Sequence, residues 1–178
     1  IMMTTTRPQD GQNNDSMTAQ QRLMKISQDI AALSEQVNII AVSKTFSPEA
    51  IAPVLAVGHR VFGENRVQEA AEKWPNLKAS YPDVELHLIG ALQSNKAAQA
   101  VALFDVIHSL DRIKLAHVLA AEMKRQNRQL KILVQVNTGK EDQKSGIPPE
   151  ETEEFVITCR SELGLNIVGL MCLPPQQD

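Results

Sequence analysis

Short β-branched runs alternate with longer helical stretches along the chain, and this alternation limits the possible folds more than any single residue does. Six runs read as strands: 37–43 (VNIIAVS), 60–62, 85–90 (ELHLIG), 106–109, 131–136 (KILVQV) and 166–171 (NIVGLM). Helical patterns fill the gaps. The first spans 16–36, with Ser16 or Thr18 able to cap it. The second opens at Ser47-Pro48 and closes at Gly58. The third spans 64–79 with a break at Pro75. Ser94 caps the fourth, Asp111 caps a long fifth, and a sixth over 148–163 stops at Gly164. A βα repeat predicts a parallel sheet covered by helices. Six strands fit an open doubly wound sheet, and equally six-eighths of a (β/α)8 barrel. In both, function gathers at the C-terminal ends of the strands.

With 178 residues the chain has room for one domain with a real core. A net charge of −3 gives no electrostatic reason to expect nucleic acid or an anionic membrane. Aromatics at 3% leave few platforms for stacking bases. No apolar run has the length of a membrane span. The two cysteines, Cys159 and Cys172, lack metal-type spacing, so no cysteine metal site is expected and a cytoplasmic location fits. Residues 1–15 are polar and unpatterned and read as a disordered tail without the apolar stretch of a signal peptide. Residues 16–178 read as the domain.

The polar residues at the strand ends carry the chemistry. Lys44 directly follows the first strand. Its amine, partly desolvated at a barrel mouth or sheet crevice, would be the neutral nucleophile that a Schiff base needs; a snorkelling or salt-bridged lysine is the plainer reading. Asn65 follows a turn glycine and offers both donor and acceptor, although a helix cap explains it as well. His87 lies within the third strand, where a histidine is more often a satisfied core group than a base. Ser94-Asn95-Lys96 opens a helix and reads first as a plain cap. Of Gln135 and Asn137, only one is expected to point inward, and Asn137, nearest the loop, is favoured. Nucleotide-binding glycine motifs, paired metal-binding histidines and a nucleophile elbow do not occur. A lysine with polar amides suits carbonyl chemistry through an imine.

Six segments occur in a telling order: AVSKT at 41–45, FGENRVQE at 62–69, HLIGALQSNK at 87–96, IHSLDRIKLA at 107–116, VQVNTGKEDQKSG at 134–146 and GLMCLPP at 169–175. Together they resemble the pyridoxal phosphate homeostasis family (YggS/PROSC), which is similar to the N-terminal barrel of alanine racemase, fold type III. The resemblance implies a (β/α)8 TIM barrel, with about six βα units in this chain, that binds pyridoxal 5′-phosphate (PLP). It implies an aldimine on Lys44, with Val42 packing near the ring and Asn65 and Met171 lining the pocket. His87 and Asn137 are weaker carry-overs. It further implies no robust turnover, a role in intracellular PLP homeostasis, PLP-dependent apoenzymes as partners, and a monomer when complete.

Two departures stand out. Family members continue past the GLM-proline segment with a helix and two strands bearing a serine-rich segment and an RxG segment that bind the cofactor phosphate. The resemblance therefore implies weak or lost PLP binding if the chain ends at Asp178, with exposed strand edges and apolar surface. Arg66 stands where the family often has an aromatic. Two other functions share the strand-end lysine: a PLP-dependent racemase and a cofactor-free lysine-imine aldolase. Racemisation needs a second acid–base group, and the one tyrosine, Tyr81, sits in a helix-ending Tyr-Pro pair.

Overall fold

The computed structural model describes residues 2–4, 17–34, 36–139 and 145–173. Its strands are β1 (Met2–Thr4), β2 (Ile40–Val42), β3 (Val61–Glu64), β4 (Glu85–Leu88), β5 (Val106–Leu110), β6 (Lys131–Val136) and β7 (Ile167–Cys172). The helices are α1 (Ala19–Ala31), α2 (Pro48–Ala56), α3 (Val67–Ser80), α4 (Ala97–Leu103), α5 (Ile113–Arg125) and α6 (Thr152–Ser161).

All described strands join one parallel sheet in the order β1-β2-β3-β4-β5-β6-β7. A doubly wound sheet reverses its strand order near the middle. Here each strand adds on the same side as the last, which is the winding of a (β/α) barrel. The order therefore decides between the two architectures that the alternation left open.

One strand was not expected. Met2–Thr4 pairs in register with Ile40–Val42, so the disordered-tail reading fails for these three residues. An open sheet edge accepts any extended backbone, whatever the side-chain pattern, and Met2–Thr4 can therefore fill it. The remaining tail positions, 1 and 5–15, lie outside the described residues.

The sheet has two different faces. Phe62, Leu86, Leu88, Ile107, Ile132 and Val134 pack against the helix layer with Leu55, Trp74, Ala100, Leu115 and Leu119, all at most 1% exposed. Each large side chain so buried stabilises the fold by about 1.5–3 kcal/mol. The other face carries Val42, Gly63, His87 and Val106, which pair strand to strand in a single row.

Three local expectations differ. The helix α3 runs through Pro75 without breaking, because Trp74 is fully buried and Leu77 packs on the same core. Asp111 does not cap α5; it pairs with the Arg112 guanidinium, and Arg112 holds the cap position. Ser94 opens a short 3-10 turn, Ser94–Lys96, and makes no capping bond. Thr18, in contrast, forms a full capping box with Gln21 at the start of α1.

Beyond β7 the helix-facing side is bare. Val168 and Leu170 are 52% and 57% exposed beside Ile157 of α6, lining a cleft where the next helix of a βα series would pack. No helix among the described residues is long and apolar enough to cross a membrane.

Candidate functional site

Strand β2 ends on a backbone that is clamped from the helix side. Ser43 is buried, and its Oγ donates to Glu64 Oε1 at 2.6 Å. Trp74 Nε1 donates to the same oxygen at 2.9 Å. The Lys73 ammonium, 6% exposed, lies 2.9 Å from Glu64 Oε1 and from Glu69 Oε1. It also donates to the carbonyls of Ser43 at 2.8 Å and Phe46 at 3.1 Å. Thr45 sits in the left-handed region at φ 65, an uncommon place for a β-branched residue, and its N–H donates to Glu69. Burial alone would raise the Glu69 carboxyl, but the bonds from Lys73 and Thr45 N–H hold it below the ordinary carboxylate range.

With Ser43 turned to the helices, strand alternation turns Lys44 to the other face, together with Val42. Lys44 is half-buried there, and its amine has no hydrogen-bond or ion-pair partner among the described residues. The row beside it follows from the register. Val42, Gly63, His87 and Val106 are mutual partners, so two residues further on come Lys44, Asn65, Ile89 and His108. Asn65 is held from behind by Gly90, where an added Cβ would lie 2.3 Å from the Asn65 carbonyl oxygen. Only glycine permits that approach.

Beneath this row runs a chain of polar groups. Lys131 Nζ lies 2.9 Å from Glu85 Oε2, and Glu85 Oε1 lies 2.8 Å from His87 Nε2. His87 Nδ1 lies 2.8 Å from His108 Nε2. His108 Nδ1 is buried and has no partner among the described residues. Burial pushes both imidazoles below their usual range, His87 against the pull of Glu85 and His108 to about 4. Burial would raise the Glu85 carboxyl, but its bonds from Lys131 and His87 lower it. At neutral pH the chain is therefore an ionised carboxylate leading to two neutral rings.

The expected residues come together unevenly. Val42 and Met171 are buried, and Met171 is the cross-strand partner of Gln135. Gln135 lies in β6 and Asn137 just past its end; two positions apart, they have the same parity, so strand alternation gives no reason for only one to point inward. The Gln135 amide donates to the Ser145 carbonyl at 3.0 Å, and the Asn137 N–H to the Ile147 carbonyl at 3.0 Å. His87 has both ring nitrogens engaged, so its influence on a ligand passes through His108. Sequence reading missed His108, Glu64, Lys73 and Glu85; a polar residue inside an apolar strand, as in Ile107-His108-Ser109, was the available signal. Two surface clefts, one between α1 and β2–β3 and one between α6 and β7, contain none of the expected residues. No metal-binding cluster occurs among the described residues.

A parallel, sequentially wound sheet with an unpartnered lysine at the end of its second strand can be compared with known proteins. The family described as alanine racemase, N-terminal domain, matches residues 20–178. The chain belongs to this family. It is 37% identical over 165 residues to the pyridoxal phosphate homeostasis protein of Vibrio alginolyticus, covering 92% of this chain and 70% of that one. The solved structure of PipY from Synechococcus elongatus with PLP bound matches with a TM-score of 0.77 and 36% identity, covering 86% of this chain and 71% of that one. Alanine racemase of Clostridium difficile matches with a TM-score of 0.67 at 13% identity, covering 84% of this chain and 39% of that one, a likeness of fold alone. Within the family the chain therefore groups with the pyridoxal phosphate homeostasis proteins.

Proposed function

We propose that this chain binds pyridoxal 5′-phosphate through Lys44 and serves in the homeostasis of that cofactor rather than in turnover. The observation that carries this reading is the contrast between two amines at one strand end. Lys73 is held by Glu64, Glu69 and two carbonyls, whereas Lys44, facing the other way, has no partner among the described residues. A buried network of this cost is a sound way to fix one turn so that the next lysine points into a chosen space.

The surroundings suit the group. Val42 and Met171 supply apolar surface for a flat ring, and Asn65 and the bare His108 Nδ1 supply polar atoms near it. The bound cofactor would supply an aldehyde for a neutral amine to attack.

A racemase needs an acid–base group on each side of the reacting carbon. Tyr81, the one tyrosine, lies under the Arg60 guanidinium at 5.1 Å and packs on the helix-side core, away from the Lys44 face. A non-catalytic, cytoplasmic and monomeric carrier that delivers cofactor to PLP-dependent apoenzymes is the resulting proposal. Adding the cofactor to purified protein should produce a visible absorption band that Lys44→Ala abolishes while the circular dichroism spectrum stays unchanged. Amino-acid enantiomers should not interconvert. A band that survives in Lys44→Ala, or steady racemisation, would refute the reading.

A further inference from the structure

The IHSLDR segment places His108 on the same inner row as Lys44, and the chain leading to it has a direction. An ionised carboxylate only accepts, so the Nε2 of His87 must carry its proton toward Glu85. The Nδ1 of neutral His87 is then an acceptor, and the Nε2 of His108 must donate to it. That leaves His108 Nδ1 as a lone pair, buried and facing no donor among the described residues. Lys131 keeps Glu85 ionised and so fixes the direction of the whole chain. A buried acceptor without a donor is costly, at about 1–3 kcal/mol, and is retained where something fills it.

We propose that His108 is a cofactor-positioning residue: its Nδ1 accepts a hydrogen bond, directly or through one water, from a donor on the ligand held at Lys44. The inference rests on the PLP reading of the site and extends it to a residue three strands further round the sheet. Glu85 and His87 act through His108, and Lys131 acts through Glu85. Among the described residues, the titratable groups facing His108 are His87 on its neighbouring strand, with Glu85 and Lys131 behind it.

Nitrogen-15 NMR of the cofactor-free protein reads the tautomer directly. Nδ1 of His108 should carry no proton, and its resonance should move when PLP is added. A protonated Nδ1 in the free protein would overturn the proposal. The same protein, His108→Phe and His108→Asn are then titrated with PLP, with circular dichroism as the folding control. His108→Phe should weaken binding about tenfold, the scale of one hydrogen bond in a buried site, and displace the absorption maximum. His108→Asn retains an oxygen close to the Nδ1 position and should recover most of both. Glu85→Gln, remote from the ligand, should also displace the maximum, because it unfixes the direction of the chain. Unaltered affinity and maximum in His108→Phe would overturn the role of His108 while leaving Lys44 as the anchor. Absence of any Lys44-dependent band in the unsubstituted protein would overturn both.

Discussion

Two polar clusters lie on opposite faces of one sheet, and they end differently. On the helix side, Lys73 bridges Glu64 and Glu69, with Ser43 and Trp74 adding donors. Glu64 Oε2 has no partner among the described residues, but Lys73 meets the carboxylate at Oε1. On the inner side, Lys131 and Glu85 also form a pair, yet the chain runs on through two neutral rings and stops at an open acceptor. The first cluster is self-contained and shapes the turn that bears Lys44. The second is unfinished within the described residues and needs a donor from outside it. Polar groups bonded to one another mark structure; an open acceptor on the same sheet face as an unpartnered amine is where the proposed ligand would bind.

The largest test of this contrast is Lys73→Met, which leaves Glu64 buried without its cation and should destabilise the protein by about 3–5 kcal/mol in urea unfolding. Adding Glu64→Gln should recover part of that loss; strict additivity would show that the helix-side cluster is not closed. Next comes pH. Folded His108 titrates at about 4 and an unfolded histidine near 6.5, so as the pH falls the unfolded chain takes up the proton first. Stability is intact above 6.5 and is lost as the pH falls toward 4, by about 3 kcal/mol for this group. Unfolding measured across that range should be steeper in the unsubstituted protein than in His108→Asn; equal slopes would remove His108 from the acid response. Trp74→Phe keeps an aromatic ring but removes a donor from Glu64, and a drop of about 1–3 kcal/mol in unfolding free energy is expected. The smallest effect is Thr45→Gly. Relief at φ 65 and the added freedom of the unfolded chain nearly cancel, so the melting curve should shift by less than about 1 kcal/mol. A large loss there would mean that the Thr45 side chain itself helps fix Lys44.

Strand positions, and the place of Lys44 just past the end of one, were legible in the sequence because both depend on local order: a β-branched run, then a lysine. Asn65, Val42 and Met171 drew attention through the motifs that contain them. The clusters were not, because they join residues about one βα unit apart. His87 meets His108 across 21 positions and Ser43 meets Lys73 across 30, and no periodicity reports such a meeting. Hidden for a different reason was β1: the edge of β2 recruits backbone, so Met2–Thr4 needed no strand-like pattern. The helix through Pro75 shows packing overruling a local breaker, with Trp74 and Leu77 anchoring the turns around it.

Strand order has a further consequence, for how the protein is made. From β2 onward each strand pairs with the one synthesised just before it, so no strand waits for a distant segment before it can dock. The contacts that orient Lys44 reach only to Lys73 and Trp74. A growing polypeptide can therefore add each strand to an edge that is already present, in the order in which the strands are made.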